Sequence, residues 1–268
     1  MSREQLEGRW ALVLGASSGF GAATSRALAA AGMSIFGVHL DPRSRLPRAN
    51  EVIADIEASG GKAVFFNTNA ASARKRERVL DQIEETLADD PAAGIHFMLH
   101  SLAFGSLLPF IAEEPEEAVS ESQMEMTLRV MAHTLVYWVQ DLARRGLLLN
   151  GSRVYALSSE GAERMAPNYG VVSAAKAALE SHMRQLTLEL GERGIAVNCL
   201  RPGVTDTPAL RAIPGHEAYI QEALRRNPRR RLTTPKDVAD TLVVLADPDL
   251  TWISGAVIPV DGGETIVG

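Results

Sequence analysis

The sequence predicts a single-domain α/β fold, a doubly wound parallel sheet of seven strands, on three observations. Apolar runs of strand length alternate with helix-length stretches along the whole chain. The first run leads straight into a glycine turn and an Ala-rich helical stretch. The 268 residues, 46% hydrophobic and 22% charged, suit one large domain spanning 1–268, with no internal repeat and no Pro/Gly/Ser linker to divide it. The strand-length runs are Trp10 to Leu14, Ser34 to Val38, Ala63 to Phe66, Ile95 to His100, Arg153 to Leu157, Ile195 to Leu200 and Ala256 to Val260. Parallel strands need crossover connections, and the intervening stretches are long enough to be helices on both faces of the sheet. The least regular stretch, 206–234, carries prolines and many arginines between a strand and a helix. A segment of that kind is a candidate substrate-binding lid.

Composition narrows the function classes. A net charge of −6 argues against generic nucleic-acid binding, which needs a positive surface to displace counterions. No stretch is apolar long enough to span a bilayer, and Met1-Ser2-Arg3-Glu4-Gln5 has no apolar run behind a basic start, so a cytoplasmic location without membrane insertion is expected. The one cysteine, Cys199, lies inside an apolar strand-length run and reads as core filler, offering neither an internal disulfide nor a multi-cysteine metal site.

Ala11-Leu12-Val13-Leu14 runs into Gly15-Ala16-Ser17-Ser18-Gly19-Phe20-Gly21 and then the helical stretch Ala22 to Ala31. Gly15 permits the turn, Gly19 lets backbone approach a pyrophosphate and Gly21 allows close helix packing, while the helix N-terminus offers unpaired N–H donors to an anion. A dinucleotide is the expected ligand, although a glycine triplet alone is a weak sign. Binders of the non-phosphorylated dinucleotide place an acid at the end of the second strand. Here His39 stands there, Asp41 follows, and Arg43 and Arg45 lie just beyond, suited to clamp a 2′-phosphate. NADPH is therefore expected, with NADH possible.

At the other end, Tyr169 and Lys176 are seven positions apart in Pro167-Asn168-Tyr169-Gly170-Val171-Val172-Ser173-Ala174-Ala175-Lys176. On a helix that interval is two turns, so phenol and ammonium share a face with about 10 Å between their Cα positions.

Gly15-x3-Gly19-x-Gly21, Asn69, Tyr169/Lys176, Pro202-Gly203-Val204-Thr205-Asp206-Thr207 and Val260-Asp261-Gly262-Gly263 together resemble the short-chain dehydrogenase/reductases over nearly the whole chain. The resemblance implies a Rossmann-type sheet, with Asn69 beside the adenine, Ser101 and Pro202-Gly203 lining the cofactor, and Val204 and Thr207 holding the nicotinamide carboxamide. It also implies a homotetramer built through the helices near Gln123 to Arg144 and Ala174 to Leu190. Ser18 departs from relatives that bind NADP with an arginine there.

In most of that family the tyrosine stands four residues before the lysine, a place held here by Val172. Tyr-x6-Lys, with Gly161-Ala162-Glu163-Arg164-Met165-Ala166-Pro167-Asn168-Tyr169 and Leu99-His100-Ser101-Leu102-Ala103, resembles the enoyl-[acyl carrier protein] reductases. The glycine loop and the Val204 to Leu210 segment look closer to their type III branch. An acid moved away from the hydride site suits conjugate reduction, in which charge gathers on the thioester oxygen rather than at the carbon receiving hydride. The resemblance implies that Tyr169 donates to the enolate oxygen while Lys176 holds the nicotinamide ribose and, as a nearby cation, lowers the phenol pKa. Ser159 either donates to the thioester carbonyl or caps the turn after the fifth strand. Met131 stands where ketone-reducing members have a relay Asn; His100, Arg129 and His133 read as strand-end, packing or interface residues.

Arg211, Arg225, Arg226, Arg229, Arg230 and Arg231 crowd the irregular stretch of an otherwise acidic protein. They suit an acidic acyl carrier protein or the phosphates of a coenzyme A thioester, unless they pair with Glu217 and Glu222. Leu210, Ile213, Pro214 and Tyr219 offer an apolar slot for an acyl tail. The expected activity is NADPH-dependent reduction of a trans-2-enoyl thioester in fatty-acid elongation. Reduction of another conjugated acyl thioester such as a cyclic enoyl-CoA, carbonyl reduction, and an inactive dinucleotide-binding scaffold stay open.

Overall fold

The computed structural model describes residues 6–89, 93–213 and 215–267; Met1 to Gln5 and Pro214 lie outside the described residues. Its seven strands are β1 (Trp10–Leu14), β2 (Ser34–His39), β3 (Ala63–Asn67), β4 (Ile95–His100), β5 (Leu148–Leu157), β6 (Ala196–Pro202) and β7 (Val257–Val260). They form one parallel sheet in the order β3-β2-β1-β4-β5-β6-β7. The order reverses direction between β1 and β4, and that switch point is where a doubly wound sheet opens a crevice for a ligand at the carboxyl ends of its strands. The helices are α1 (Gly19–Ala30), α2 (Leu46–Ala58), α3 (Ala73–Leu87), α4 (Glu121–Leu128), α5 (Thr134–Arg144), α6 (Gly170–Leu190), α7 (Pro208–Arg211), α8 (His216–Arg226) and α9 (Pro235–Leu245).

Strand β1 shows why both faces are covered. Trp10, Leu12 and Leu14 join the core under α3, α5 and α6, while Ala11 and Val13 join the core under α1, α2 and α9. Alternate side chains leave opposite faces of a strand, so a strand apolar at every position must be packed on both. Trp10 stacks on Phe36 of β2 with ring centroids 4.2 Å apart. Cys199 is buried on β6 as core filler, as the sequence predicts.

Three departures from the sequence reading have physical causes. Strand β5 begins at Leu148, earlier than the Arg153 expected from hydrophobicity, because Ser152 ties it in by accepting from the Leu149 N–H and donating to the Ile95 carbonyl. The helix expected across Gln123 to Arg144 widens into a π turn at Arg129–His133, where the Thr134 hydroxyl donates to the Arg129 carbonyl five residues back. Such turns reposition side chains within a helix and recur at functional sites. Within 206–234, α8 runs for 11 residues, so the stretch is more ordered than its prolines suggested. No helix among the described residues is long and apolar enough to cross a membrane.

Candidate active site

The glycine turn is built by backbone contacts. The N–H groups of Gly15 and Ala16 donate to the Val38 carbonyl at 2.8 and 3.1 Å, and the Ser101 N–H donates to the Leu14 carbonyl at 2.9 Å, joining the ends of β1, β2 and β4. A Cβ on Gly21 would lie 2.1 Å from the Gly15 carbonyl oxygen, and one on Gly15, at φ +92°, 2.4 Å from that of Ser101. Only glycine allows those approaches. Ser18 is the N-cap of α1 but its side chain caps nothing, which leaves first-turn N–H groups for an anion. A groove of about 440 Å³ opens there, lined by Ser17, Ser18, Gly19, Arg48, Asp206 and Thr207 among others. Phe20, at the start of α1, packs instead against the core.

At the end of β2, buried His39 joins Asp41 through Nδ1 at 2.8 Å, and Asp41 is tied by its backbone to the Asn67 side chain. Arg43 and Arg45 are exposed in the turn before α2 and do not line the groove; Arg48, which the sequence reading passed over, does. The signal was present: Arg48 lies three residues beyond Arg45, about one helical turn on. Arg48 makes no side-chain hydrogen bond or ion pair among the described residues. Asn69 forms a turn, its Oδ1 accepting from the Ala71 N–H at 2.9 Å, so that oxygen is in use.

Tyr169 is the N-cap of α6 (φ −97°, ψ 0°), one residue short of the helix that carries Lys176. Its ring lies against Gly161, where a Cβ would sit 2.5 Å from the ring, and Phe110 covers the neighbouring Gly170 in the same way at 2.7 Å. Burial pushes the Tyr169 phenol above the usual tyrosine range, the Ser159 hydroxyl opposes that shift and Tyr219 adds to it. The expectation that Lys176 lowers this pKa is thereby corrected. The buried Lys176 Nζ donates to the Leu157 carbonyl at 2.6 Å, and burial lowers its own pKa to about 8. Its ammonium keeps further donors for a ribose. Ser159 caps the short turn Glu160–Ala162 by accepting from the Gly161 N–H at 3.1 Å, so the capping alternative holds while the hydroxyl also stands beside the phenol.

Val172, in the place of the family's usual tyrosine, packs with Met131 and Ala175, and Leu107, Leu128, Val130 and Tyr169 adjoin them. A proton donor would have no polar surroundings there. His100 is fully buried at the end of β4 with no partner for either ring nitrogen among the described residues; burial and then the Lys176 charge push its pKa down to about 3. Half-buried His133 of the π turn meets His182 of α6 at 2.9 Å, a packing contact.

The loop after β6, where the resemblance expects the nicotinamide, is more occupied than expected. The Val204 N–H donates to Glu264 Oε1 at 3.3 Å, and its carbonyl accepts from the Thr233 N–H at 3.2 Å. The Thr207 hydroxyl caps α7 by accepting from the Leu210 N–H at 3.2 Å. Gly203, after Pro202, is hemmed in by Thr233 and Glu264. Most of the arginine cluster is also spoken for: Arg211 forks onto Asp206, Arg225 onto Glu222, Arg226 onto Glu160 and Arg231 onto Asp237. The basic rim is thereby largely neutralised, and Glu217 takes no part in it. Tyr219 reaches the Pro167 carbonyl at 3.4 Å, which brings α8 over the Tyr169 turn. Exposed Phe104, Phe110, Ile111 and Met165 supply apolar surface that the sequence reading did not single out.

A family model described as Enoyl-(Acyl carrier protein) reductase matches residues 15–265. The chain is 26% identical over 259 residues to the 7alpha-hydroxysteroid dehydrogenase of Escherichia coli (strain K12), covering 97% of this chain and 95% of that protein. It is also 26% identical over 258 residues to the 1-cyclohexenylcarbonyl-CoA reductase of Streptomyces collinus, covering 96% and 86%. The structure of Enoyl-[acyl-carrier-protein] reductase (NADH) from Aquifex aeolicus VF5 superposes with a TM-score of 0.84 over 98% of this chain and 99% of that one; at 24% identity this shows a shared fold. The chain belongs to the short-chain dehydrogenase/reductase family of oxidoreductases, within the group that the enoyl-(acyl carrier protein) reductase model describes.

Proposed function

We propose that this oxidoreductase reduces the trans-2 double bond of an enoyl thioester with NADPH, as in fatty-acid elongation. Family membership indicates a nicotinamide dinucleotide, and the residues present fit one: uncapped N–H groups at α1, an open groove beside Gly19 and a buried Lys176 ammonium on α6. When bound, the cofactor supplies hydride from nicotinamide C4 to the thioester Cβ. The observation that carries the reading is the phenol's place and state: Tyr169 is one turn before the apolar Val172, and burial keeps it protonated. A neutral phenol donates to the oxygen on which enolate charge develops, and a donor of that kind contributes about 3–4 kcal/mol. Ser159 orients the phenol, and Lys176 binds the ribose through donors not used by Leu157. Protonation at Cα completes the reduction.

NADPH is favoured over NADH by exposed Arg43 and Arg45 and by Arg48 in the groove; Asp41 is what an NADH enzyme would use, and it is already held by His39. The thioester carrier is acyl carrier protein or coenzyme A, with Arg229 and Arg230 the lid arginines that form no ion pair with an acid among the described residues. Segment 206–234 serves as the lid. The protein acts as a cytoplasmic homotetramer through the outer faces of α5 and α6. A second reading, reduction of a cyclic conjugated acyl-CoA, is favoured by the similarity to the Streptomyces collinus enzyme.

The test is NADPH and NADH oxidation with crotonyl-coenzyme A, crotonyl-carrier protein, cyclohexenylcarbonyl-coenzyme A and ketone substrates, wild type beside Tyr169→Phe. Thioester-dependent NADPH oxidation that falls about 10²- to 10³-fold in the variant supports the proposal. Oxidation with ketones alone refutes it.

A further inference from the structure

Arg226 closes helix α8 and sends its guanidinium inward. Its side chain is 10% exposed, against 67% for Arg211 and 59% for Arg225 on the same stretch. It donates to both oxygens of Glu160 at 2.7 and 2.8 Å and reaches Glu264 Oε1 at 3.5 Å. Glu160 follows Ser159 in the chain. Glu264 is fully buried and accepts from the Val204 N–H. One guanidinium thus joins three segments remote in sequence: the end of α8, the turn carrying the Ser159 hydroxyl that adjoins the Tyr169 phenol, and the loop after β6 that carries Val204 and Thr207. Arg164 reinforces the arrangement, 3.0 Å from Glu160 Oε1.

We propose that Arg226 is a positioning residue that sets the Ser159–Tyr169 acid and the Val204 loop in register with each other whenever α8 is docked. The inference rests on the proposed reduction for its kinetic consequence, but its structural part stands without it. A bidentate guanidinium–carboxylate fork fixes orientation as well as distance, which a lysine's point charge does not. The two carboxylates respond oppositely: the Arg226 hydrogen bonds pull Glu160 below the usual carboxylate range, while burial raises Glu264. Glu160 is therefore the firmly charged partner. Arg226 is the group that touches both acids: without it Glu160 keeps Arg164 and Glu264 keeps the Val204 N–H, so the link between them is lost and each is left with fewer partners.

The experiment uses Arg226→Met and Arg226→Lys in the full chain, checked for retained fold by circular dichroism. Hydrogen exchange is measured on protein without added cofactor. The expected result is faster exchange in both 159–164 and 203–207 for Arg226→Met, a smaller rise for Arg226→Lys, and no change in β2 and α3. In kinetics, Arg226→Met lowers kcat for crotonyl-coenzyme A about 10-fold or more, and the loss largely disappears in a Ser159→Ala background because both changes act on one phenol. Exchange that rises only within 216–226, or losses that multiply independently, overturn the proposal. If the wild type reduces no thioester, the proposed function fails while the exchange data still decide the role of Arg226. If Arg226→Met does not fold, Arg226→Lys and Glu264→Gln carry the same two readouts, and the same results support or overturn the proposal.

Discussion

The two ends of the active-site crevice are held by different forces. At the glycine turn, Gly15, Ala16 and Ser101 are fixed by backbone hydrogen bonds to neighbouring strand ends, and close backbone approaches forbid any Cβ at Gly15 and Gly21. At the acid end, the turn 158–164 is held by charged side chains from elsewhere in the chain: Arg201 of β6 forks onto Glu163 at 3.0 and 2.6 Å, and Arg226 of α8 onto Glu160. Backbone geometry leaves a sign in the local sequence. Side-chain pairs separated by 38 and 66 residues leave none. On the proposed function, the first end binds the dinucleotide and the second presents the acid to the substrate.

Four substitutions break or sharpen that contrast, in decreasing order of effect. Gly21→Ala, which forces a Cβ onto the Gly15 carbonyl with no flexible atom to yield, costs about 3 kcal/mol or more of stability and abolishes dinucleotide binding, read by thermal melting and cofactor fluorescence. Lys176 comes next. Its folded pKa of about 8 lies below the ordinary lysine value, so between these values the unfolded chain binds the extra proton and stability rises with pH across that window. Lys176→Met should flatten a rise on the order of 3 kcal/mol in denaturant melts at successive pH values from 8 to 10.5.

Gly161→Val, by contrast, meets a side chain, the Tyr169 ring, rather than backbone. It should leave the melting temperature nearly unchanged and lower kcat about 10²-fold, since a misplaced donor costs that much. Arg48→Glu is the mildest: about a 10-fold rise in KM for NADPH with that for NADH unmoved, measured by initial rates. Equal rises for both cofactors would place Arg48 outside the 2′-phosphate site.

What the sequence revealed follows the same division. The seven strands and the glycine turn were legible because each is a local pattern: apolar alternation and close-approach glycines. The state of Tyr169 was not, because whether Lys176 or burial governs the phenol depends on the third dimension, and Lys176 is committed to the Leu157 carbonyl. The arginine cluster looked like a free basic rim because its acids, Asp206, Glu160 and Asp237, were not read as partners. Glu264, in the chain's last few residues, carried no motif, yet it meets Val204 sixty residues earlier.

The most direct test of conjugate reduction follows the hydride itself. NADPH deuterated at the transferring C4 position is turned over with crotonyl-coenzyme A and the product examined by NMR. Deuterium at C3 of a butyryl thioester is the predicted result. Deuterium at the former carbonyl carbon, in an alcohol, would contradict the account.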